Sequence, residues 1–479
     1  MKELLRHTNW KLLLLYSILV GFGILNLFSV SSSLGKKQFT WLLISILILI
    51  IISIINIVFL ELYSILFYCI GLILLIGIFA FGKEINGAKA WYAYGGFTFQ
   101  PAEFMKFFIA LFLSKTIQSK FQNNLTTKNL IICFIILGIP AILILLQPDL
   151  GSVIIFTAFL IPLYREGLNG YIFLLIFILI ILFFTSIFIA PIYIMSSLLV
   201  ILISFSIYLL LKSNSRELEL NHNLYLSSSI SYMVIGLALI LIAIIKNEIP
   251  KTITIISFTT SLLYFYFVKS YKNNFKKLKN NNRISILTLT FIIIGFSIYA
   301  FSNLSFTIFN TILKPHQKER ILVLIEGESK YRRTSGYNLL YSKTAIGSGE
   351  FFGKGYLNGT VTAGKFVPEQ ETDYIFTTIG EEWGFLGSST IIIIYCIFIG
   401  YIYKLAEDQR SRFGRIYGYS IASIYLLHFT LNIAMIMGLF PTVGIPLPFF
   451  SYGGTSFVSF SVMFFVFLKL NYRNNAYLI

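Results

Sequence analysis

Charge is scarce in this sequence, and negative charge most of all: 20 Asp and Glu stand against 37 Lys and Arg in 479 residues, and only 12% of positions are charged. A soluble globule could not cover its surface with so little polarity. Mean hydropathy is +0.82, and apolar runs of about 20 residues recur along the chain, which leaves a polytopic membrane protein. Cysteine is almost missing. Cys69, Cys133 and Cys396 each lie in an apolar run with no CxxC, so a disulfide framework is excluded. The four histidines are scattered and show no metal-ligand spacing. No internal repeat appears, which removes support for an inverted-repeat transporter. A net charge of +17 would suggest nucleic acid in a soluble protein. Here the positive-inside rule accounts for it, and no nucleic-acid partner is expected. Met1–Lys11 and the apolar run after it lack a small-x-small cleavage site, so they read as a retained first helix.

Hydropathy gives about fourteen spans at the usual length of roughly 20 residues. They fall near 12–32, 38–59, 61–81, 102–118, 129–148, 150–164, 171–190, 192–211, 224–245, 251–269, 284–307, 387–404, 416–438 and 455–470, with Pro191 breaking the long 171–211 run. Lys2, Arg6 and Lys11, the Lys115–Lys128 loop, the Lys269–Arg283 run, Lys404–Arg415 and Lys469–Arg473 all fall on one side, which is therefore cytoplasmic and holds both termini. Lys36 and Lys37 are a small violation of that pattern. Two long polar segments face outward, 82–101 and the large loop 310–386, and ordered-looking loops of that length tend to carry function. The chain divides into an N-terminal membrane core, 1–170, further spans in 171–283, and a C-terminal membrane core, 284–479, which includes the large loop.

What acid there is gathers in one place. Five of the 20 acidic residues, Glu369, Glu371, Asp373, Glu381 and Glu382, lie within Phe366–Gly387. Neighbouring carboxylates and the apolar Tyr374-Ile375-Phe376 both raise a carboxyl pKa, which favours Asp373 as a general base near neutral pH, with Glu369 the next candidate. A nearby Lys or Arg would pull the other way. The outward face also holds Lys89, Arg320, Arg332, Arg333, Lys343, Lys354 and Lys365, cations suited to phosphate.

Elsewhere each polar residue has a structural and a functional reading. Glu103 and Lys106, i,i+3 on an apolar helix, are either a mutually neutralising pair or a polar cavity lining. Asp149 follows Pro148, where it caps the next helix or meets substrate. Trp91, with Tyr92 and Tyr94, is an interfacial belt or a surface for sugar stacking. Glu381 and Glu382 precede the span near 387–404 and complement its N-terminus. His428 and Asn432, i,i+4, read as a helix–helix hydrogen bond more readily than as catalysts. Gly444–Gly454, with Pro446 and Pro448, cannot be continuous helix and reads as a re-entrant cavity wall with Ser451 as polar lining.

Several separated motifs then carry a resemblance: Asn86-Gly-Ala-Lys-Ala-Trp-Tyr with Phe99-Gln-Pro-Ala-Glu-Phe-Met-Lys106, Gln147-Pro-Asp-Leu-Gly151, Ser342-Lys-Thr-Ala-Ile-Gly-Ser-Gly349 with Gly353-Lys-Gly355, Pro368-Glu-Gln-Glu-Thr-Asp-Tyr-Ile-Phe376 with Gly380–Gly387, and Asn432 followed by Gly438–Ser456. In this order they resemble the SEDS family of shape, elongation, division and sporulation proteins. Pro315–Ile321 and Ala345–Gly349 look like its elongation branch, with the division branch as the near alternative. The resemblance implies an all-α polytopic bundle with a family core of about ten helices plus an insert of about four. Ala90, Glu350, Ala434 and Thr455 depart from the family's usual residues.

The resemblance also implies a peptidoglycan glycosyltransferase that polymerises lipid II at the outer face of the bacterial cytoplasmic membrane, by inverting transfer with Asp373 as base. It implies a class B penicillin-binding protein and elongation-complex membrane proteins as partners, and a divalent cation, Mg or Mn, as a candidate helper with no organic cofactor. Substrate contacts are expected from Lys89, Trp91, Glu103, Lys106, Asp149, Arg320, Lys343, Lys354, Glu369 and Ser451; metal ligands are unknown. A lipid-linked sugar flippase and a non-catalytic scaffold for a penicillin-binding protein are the competing classes.

Overall fold

The structure, a computed structural model, describes residues 9–85, 87–95, 97–120, 127–188 and 297–476. The expected spans at 192–211, 224–245 and 251–269, most of 284–307 and the basic run Lys269–Arg283 lie outside the described residues. The chain forms two compact units, one of Met1–Asn169 with His316–Ile479 and one of Gly170–Pro315. In the second, Tyr171–Phe188 is an apolar helix, and residues 297–307 are helical and run into a π-turn at Ile308–Ile312.

In the first unit the described expected spans are helical: α1 (Trp10–Val30), α2 (Ser32–Ile54), α3 (Ser64–Phe81), α4 (Pro101–Lys120), α5 (Thr127–Leu146) and the broken run α6 (Leu150–Phe156) continuing to Arg165; the expected loop 310–386 carries two further helices, α7 (Pro315–Glu326) and α8 (Tyr337–Ser348), before the last expected spans, α9 (Phe376–Glu407), α10 (Arg412–Ile436) and α11 (Gly454–Ala476). Among the described residues seven helices are long and apolar enough to cross a membrane. The least apolar of these, α10 and α11, with mean hydropathy 1.4, are the most buried, 61% and 78%. Their Ser420, Ser423, His428, Asn432, Ser459 and Ser461 are turned inward. Polar side chains are costly against lipid and so define the bundle interior.

The segment before α4 is a small antiparallel sheet, which the sequence reading had as loop. Strands β1 (Lys83–Ile85), β2 (Ala88–Tyr94) and β3 (Phe97–Phe99) pair in order, Glu84 opposite Lys89 and Ala93 opposite Thr98. Gly87, at φ +83°, makes the first turn. The sheet is fastened to the end of α3: Tyr92 Oη donates to the Leu74 carbonyl at 2.8 Å and Lys89 Nζ to that of Phe79 at 2.7 Å.

Helix α9 starts at Phe376, 11 residues before the expected span at 387, and breaks at Gly384 (φ 62°, ψ −158°). At the break the backbone is respliced. Carbonyls of Glu381 and Glu382, which a regular helix would pair with Phe385 and Leu386, accept from Lys354 and Gly355 at 3.0 and 2.9 Å. The N–H groups of Phe385 and Leu386 donate to Glu350 and Phe351 at 2.9 and 3.1 Å. The Gly349–Gly355 motif exists to approach this break: a Cβ on Gly384 would stand 2.8 Å from the Gly349 carbonyl oxygen.

Candidate active site

Asp373 lies in the turn leading into α9. The turn is tight: the N–H groups of Thr372, Asp373 and Tyr374 all reach the Glu369 carbonyl, at 3.3, 3.0 and 3.4 Å, and Glu369 itself sits at φ 57°. Three donors from other elements hold alternate carbonyls of this turn and of the residues leading into α9. The Tyr452 N–H takes that of Glu371 at 2.7 Å, Asn432 Nδ2 takes Asp373 at 2.9 Å, and Asn26 Nδ2 takes Ile375 at 3.2 Å. The Glu371–Ile375 segment is therefore clamped by α1, α10 and the loop between α10 and α11. Burial, then the charge of Glu369, pushes the Asp373 carboxyl up to about 6, while Arg320 and a Thr372 hydrogen bond pull it back. Asp373 as a whole residue is half-buried.

The opposite wall is the non-helical run 438–453. Gly438 and Gly444 (φ +73°) and Phe449 (φ +67°) turn it, and Ile445, Leu447, Phe449, Phe450 and Ser451 are buried. Irregular backbone at membrane depth needs internal partners, and side chains supply them. His428 Nδ1 bonds the Pro446 carbonyl at 3.0 Å, Asn432 Nδ2 bonds Ile445 at 2.7 Å, Tyr395 Oη donates to Pro448, and Ser451 Oγ accepts from Leu447 N–H at 2.8 Å. His428 and Asn432 thus bond the loop; His428 also makes the expected helix–helix contact, to Lys106 of α4, whereas Asn432 bonds only carbonyls outside the helices. A Cβ on Gly444 would stand 3.6 Å from Asp373 Oδ2, which places this wall beside the carboxylate. Arg320 of α7 crosses to it, donating to the Thr442 carbonyl at 3.0 Å.

Asp373, Glu369 and Arg320 therefore come together. Lys343 of α8 pairs with Glu328 at 3.2 Å, and its Nζ stands 2.9 Å from where a Cβ on Gly438 would be, at the start of the same wall. Glu103 and Lys106 form a buried pair at 2.8 Å. Lys106 also meets His428 Nε2 at 2.9 Å. An ammonium has only donors, so Nε2 accepts and the His428 proton sits on Nδ1, facing Pro446. Asp149 caps α6, accepting from the Ser152 N–H at 3.1 Å, and also takes Gln100 Nε2 at 2.8 Å. Trp91 is half-buried in β2, and Lys89 is engaged at the end of α3, as described above. Ser451 Oγ is committed to the turn of its own loop.

Lys354 is taken up elsewhere, in a cluster around Glu381, at 2.8 Å. The buried Glu381 carboxylate also accepts from the N–H groups of Val361 and Thr362, at 2.8 and 2.9 Å, and from Thr362 Oγ1 at 2.8 Å. It does complement a helix N-terminus, that of the short Thr360–Ala363 helix rather than of its own. Sequence reasoning missed Asn26 and Tyr452. Neither carried a signal, because each acts across the bundle on a backbone carbonyl. Among the described residues no three of His, Cys, Asp and Glu are grouped to hold a metal ion. The described residues thus offer no preformed divalent-cation site.

A family model described as cell cycle protein, FtsW/RodA/SpoVE, matches residues 4–204 and 281–476, which leaves 205–280 as an insertion relative to it. The peptidoglycan glycosyltransferase RodA of Treponema pallidum is 26% identical over 476 residues, covering 97% of this chain and 98% of its own. The peptidoglycan glycosyltransferase MrdB of Escherichia coli is 26% identical over 82% of this chain and 73% of its own. In three dimensions, a chain of a peptidoglycan synthase complex that coordinates polymerization and crosslinking superposes with TM-score 0.61 at 19% identity, over 98% of each chain. The rod shape determining protein RodA of Thermus thermophilus gives 0.51 at 17% identity, over 98% of this chain and 97% of that one. By sequence over most of its length, and by fold, the chain belongs to the FtsW/RodA/SpoVE family of membrane proteins.

Proposed function

We propose that this chain is a peptidoglycan glycosyltransferase of the RodA type, polymerising lipid II at the outer face of the cytoplasmic membrane with Asp373 as general base. The activity follows from family membership and from relatives named for it along nearly the whole chain. The observation that carries the mechanism is the Asp373 carboxyl: pushed up to about 6, and held between Glu369 and the re-entrant wall. A carboxylate of that pKa is ionised at neutral pH, yet basic enough to share a proton in the transition state.

The chemistry needs one base and a stabilised leaving group. Asp373 takes the proton of the acceptor sugar hydroxyl as its oxygen attacks the anomeric carbon of the lipid-linked donor. The bond to pyrophosphate breaks as the new glycosidic bond forms on the opposite face, so an α-linked donor gives a β-linked product. Arg320, and Lys343 at the start of the same wall, are the cations assigned to the departing pyrophosphate. Arg320 lies within electrostatic reach of Asp373, so one residue serves both charge balance and leaving-group binding. Both termini are cytoplasmic, and the large loop outside meets a class B penicillin-binding protein that crosslinks the product.

The test is polymerisation by the purified chain. Lipid II in detergent, with its partner transpeptidase present, should yield glycan strands. A flippase or a scaffold would leave lipid II unpolymerised, since detergent offers no second leaflet and a scaffold carries no chemistry.

A further inference from the structure

We propose that Asn432 is the positioning residue for the catalytic carboxylate: one amide nitrogen bridges the Asp373 backbone to the re-entrant wall and so fixes the width of the site. This rests on the reading of Asp373 as base. Asn432 is fully buried, about one turn from the C-terminal end of α10. Its Nδ2 donates to the Asp373 carbonyl at 2.9 Å and to the Ile445 carbonyl at 2.7 Å. These two carbonyls belong to the two sides of the site, the turn before α9 and the wall beside Gly444. The Tyr452 N–H to the Glu371 carbonyl, at 2.7 Å, and a Thr442–Tyr374 side-chain hydrogen bond also join these segments, but neither holds Asp373 itself. Both amide hydrogens are used, while Oδ1 is buried with no hydrogen-bond partner. Leaving a buried acceptor unmade costs stability. The residue therefore weakens the fold in one respect while serving the two carbonyls, the pattern expected where placement of a reacting group outweighs stability.

The surroundings make the bridge rigid. One helical turn earlier on the same face of α10, His428 holds the adjacent Pro446 carbonyl at 3.0 Å. Lys106 fixes the tautomer that allows this, as shown above. Two neighbouring carbonyls of the wall, 445 and 446, are thus pinned to one helix, and the Asn432 amide extends the same rigid surface to Asp373. Glu369, Glu371 and Arg320 are the charged groups near the Asp373 carboxyl. A change in the spacing set by Asn432 alters their distances to it.

The experiment uses the full chain with its partner, with kcat, KM for lipid II and the pH profile of polymerisation measured for Asn432→Leu, which keeps the volume but donates nothing. We expect kcat to fall roughly 10- to 100-fold, the usual result of displacing a reacting group by about an ångström, with KM within about threefold. We also expect the acid limb of the profile to move by about half a pH unit or more, because the carboxyl environment has changed. A general folding defect lowers the active fraction but leaves the acid limb in place. If Asn432→Leu does not accumulate, Asn432→Ser, which cannot span both carbonyls, is read the same way. Wild-type kcat, or a loss with an unmoved acid limb, overturns the proposal. Asp373→Asn, run alongside, separates the two claims. If it is also at the wild-type rate, the reading of Asp373 fails. If it is impaired while Asn432→Leu is normal, only the positioning role fails.

Discussion

Lys106 and Glu103 meet at 2.8 Å one helical turn apart on α4, and neither side chain is reached by solvent. Removing one partner strands a charge in a low-dielectric interior, at a cost of about 3–5 kcal/mol, whereas removing both does not. A double-mutant cycle with Glu103→Gln and Lys106→Met, scored by melting temperature in detergent, should therefore show each single variant less stable than the pair, with coupling above about 1 kcal/mol. Strict additivity would mean that the two charges do not support one another.

The backbone splice at Gly384 makes a second prediction. This residue combines φ 62° with backbone atoms of Gly353, Gly349 and Phe351 that would all lie within 3 Å of an added Cβ. Gly384→Ala should lower stability by about 1–3 kcal/mol, since strain and overpacking act together. Gly400, on the same helix, faces open space, so Gly400→Ala should leave the melting temperature unchanged or slightly raised. Equal effects at the two positions would show that the splice does not constrain Gly384.

The pH dependence of the reaction follows from the Asp373 carboxyl at about 6. The base form is lost below that value, so kcat/KM should decline on the acid side with a midpoint near it. Glu369 raises this carboxyl and Arg320 lowers it. Hence Glu369→Gln should move the midpoint to lower pH and Arg320→Gln to higher pH. For stability the sign is the reverse of the usual carboxylate. The folded chain holds this proton more tightly than the unfolded chain, whose carboxyl is near 3.8, so the group's contribution is lost as pH rises from about 4 to about 6. A midpoint unmoved by both substitutions would show that another group limits the rate.

Topology can be checked at two loop positions. In a chain freed of Cys69, Cys133 and Cys396, an impermeant maleimide applied to intact cells should label Asn358→Cys and spare Asp408→Cys. The opposite pattern would invert the assignment drawn from the lysine and arginine distribution.

Much of this arrangement was legible in the sequence because membrane helices obey simple rules of length and polarity. The described spans, the non-helical wall after Gly444, which ends at Gly453, and the Glu103–Lys106 pairing all follow from a single element or from fixed spacing. What was not legible depends on contacts across the bundle. The Lys83–Phe99 sheet was read as loop because its strands are short and carry Lys, Glu and Gly among the aromatics. The start of α9 was placed late because Glu381 and Glu382 argued for an interface, whereas the Lys354 and Thr360–Thr362 donors that let Glu381 be buried come from a loop some 20 residues upstream. Asn432 carried a motif position, but its two carbonyl partners, 59 and 13 residues away, cannot be inferred from spacing.

The most direct test of the account is polymerisation of lipid II by purified Asp373→Asn with its partner. Asparagine keeps the size and the backbone clamp of Asn432, Tyr452 and Asn26 but cannot take the acceptor proton. The account predicts a rate lower by roughly 10²-fold or more, with membrane insertion, melting temperature and partner binding retained. Near-wild-type polymerisation by the well-folded variant would contradict it and move the search for the base to Glu369.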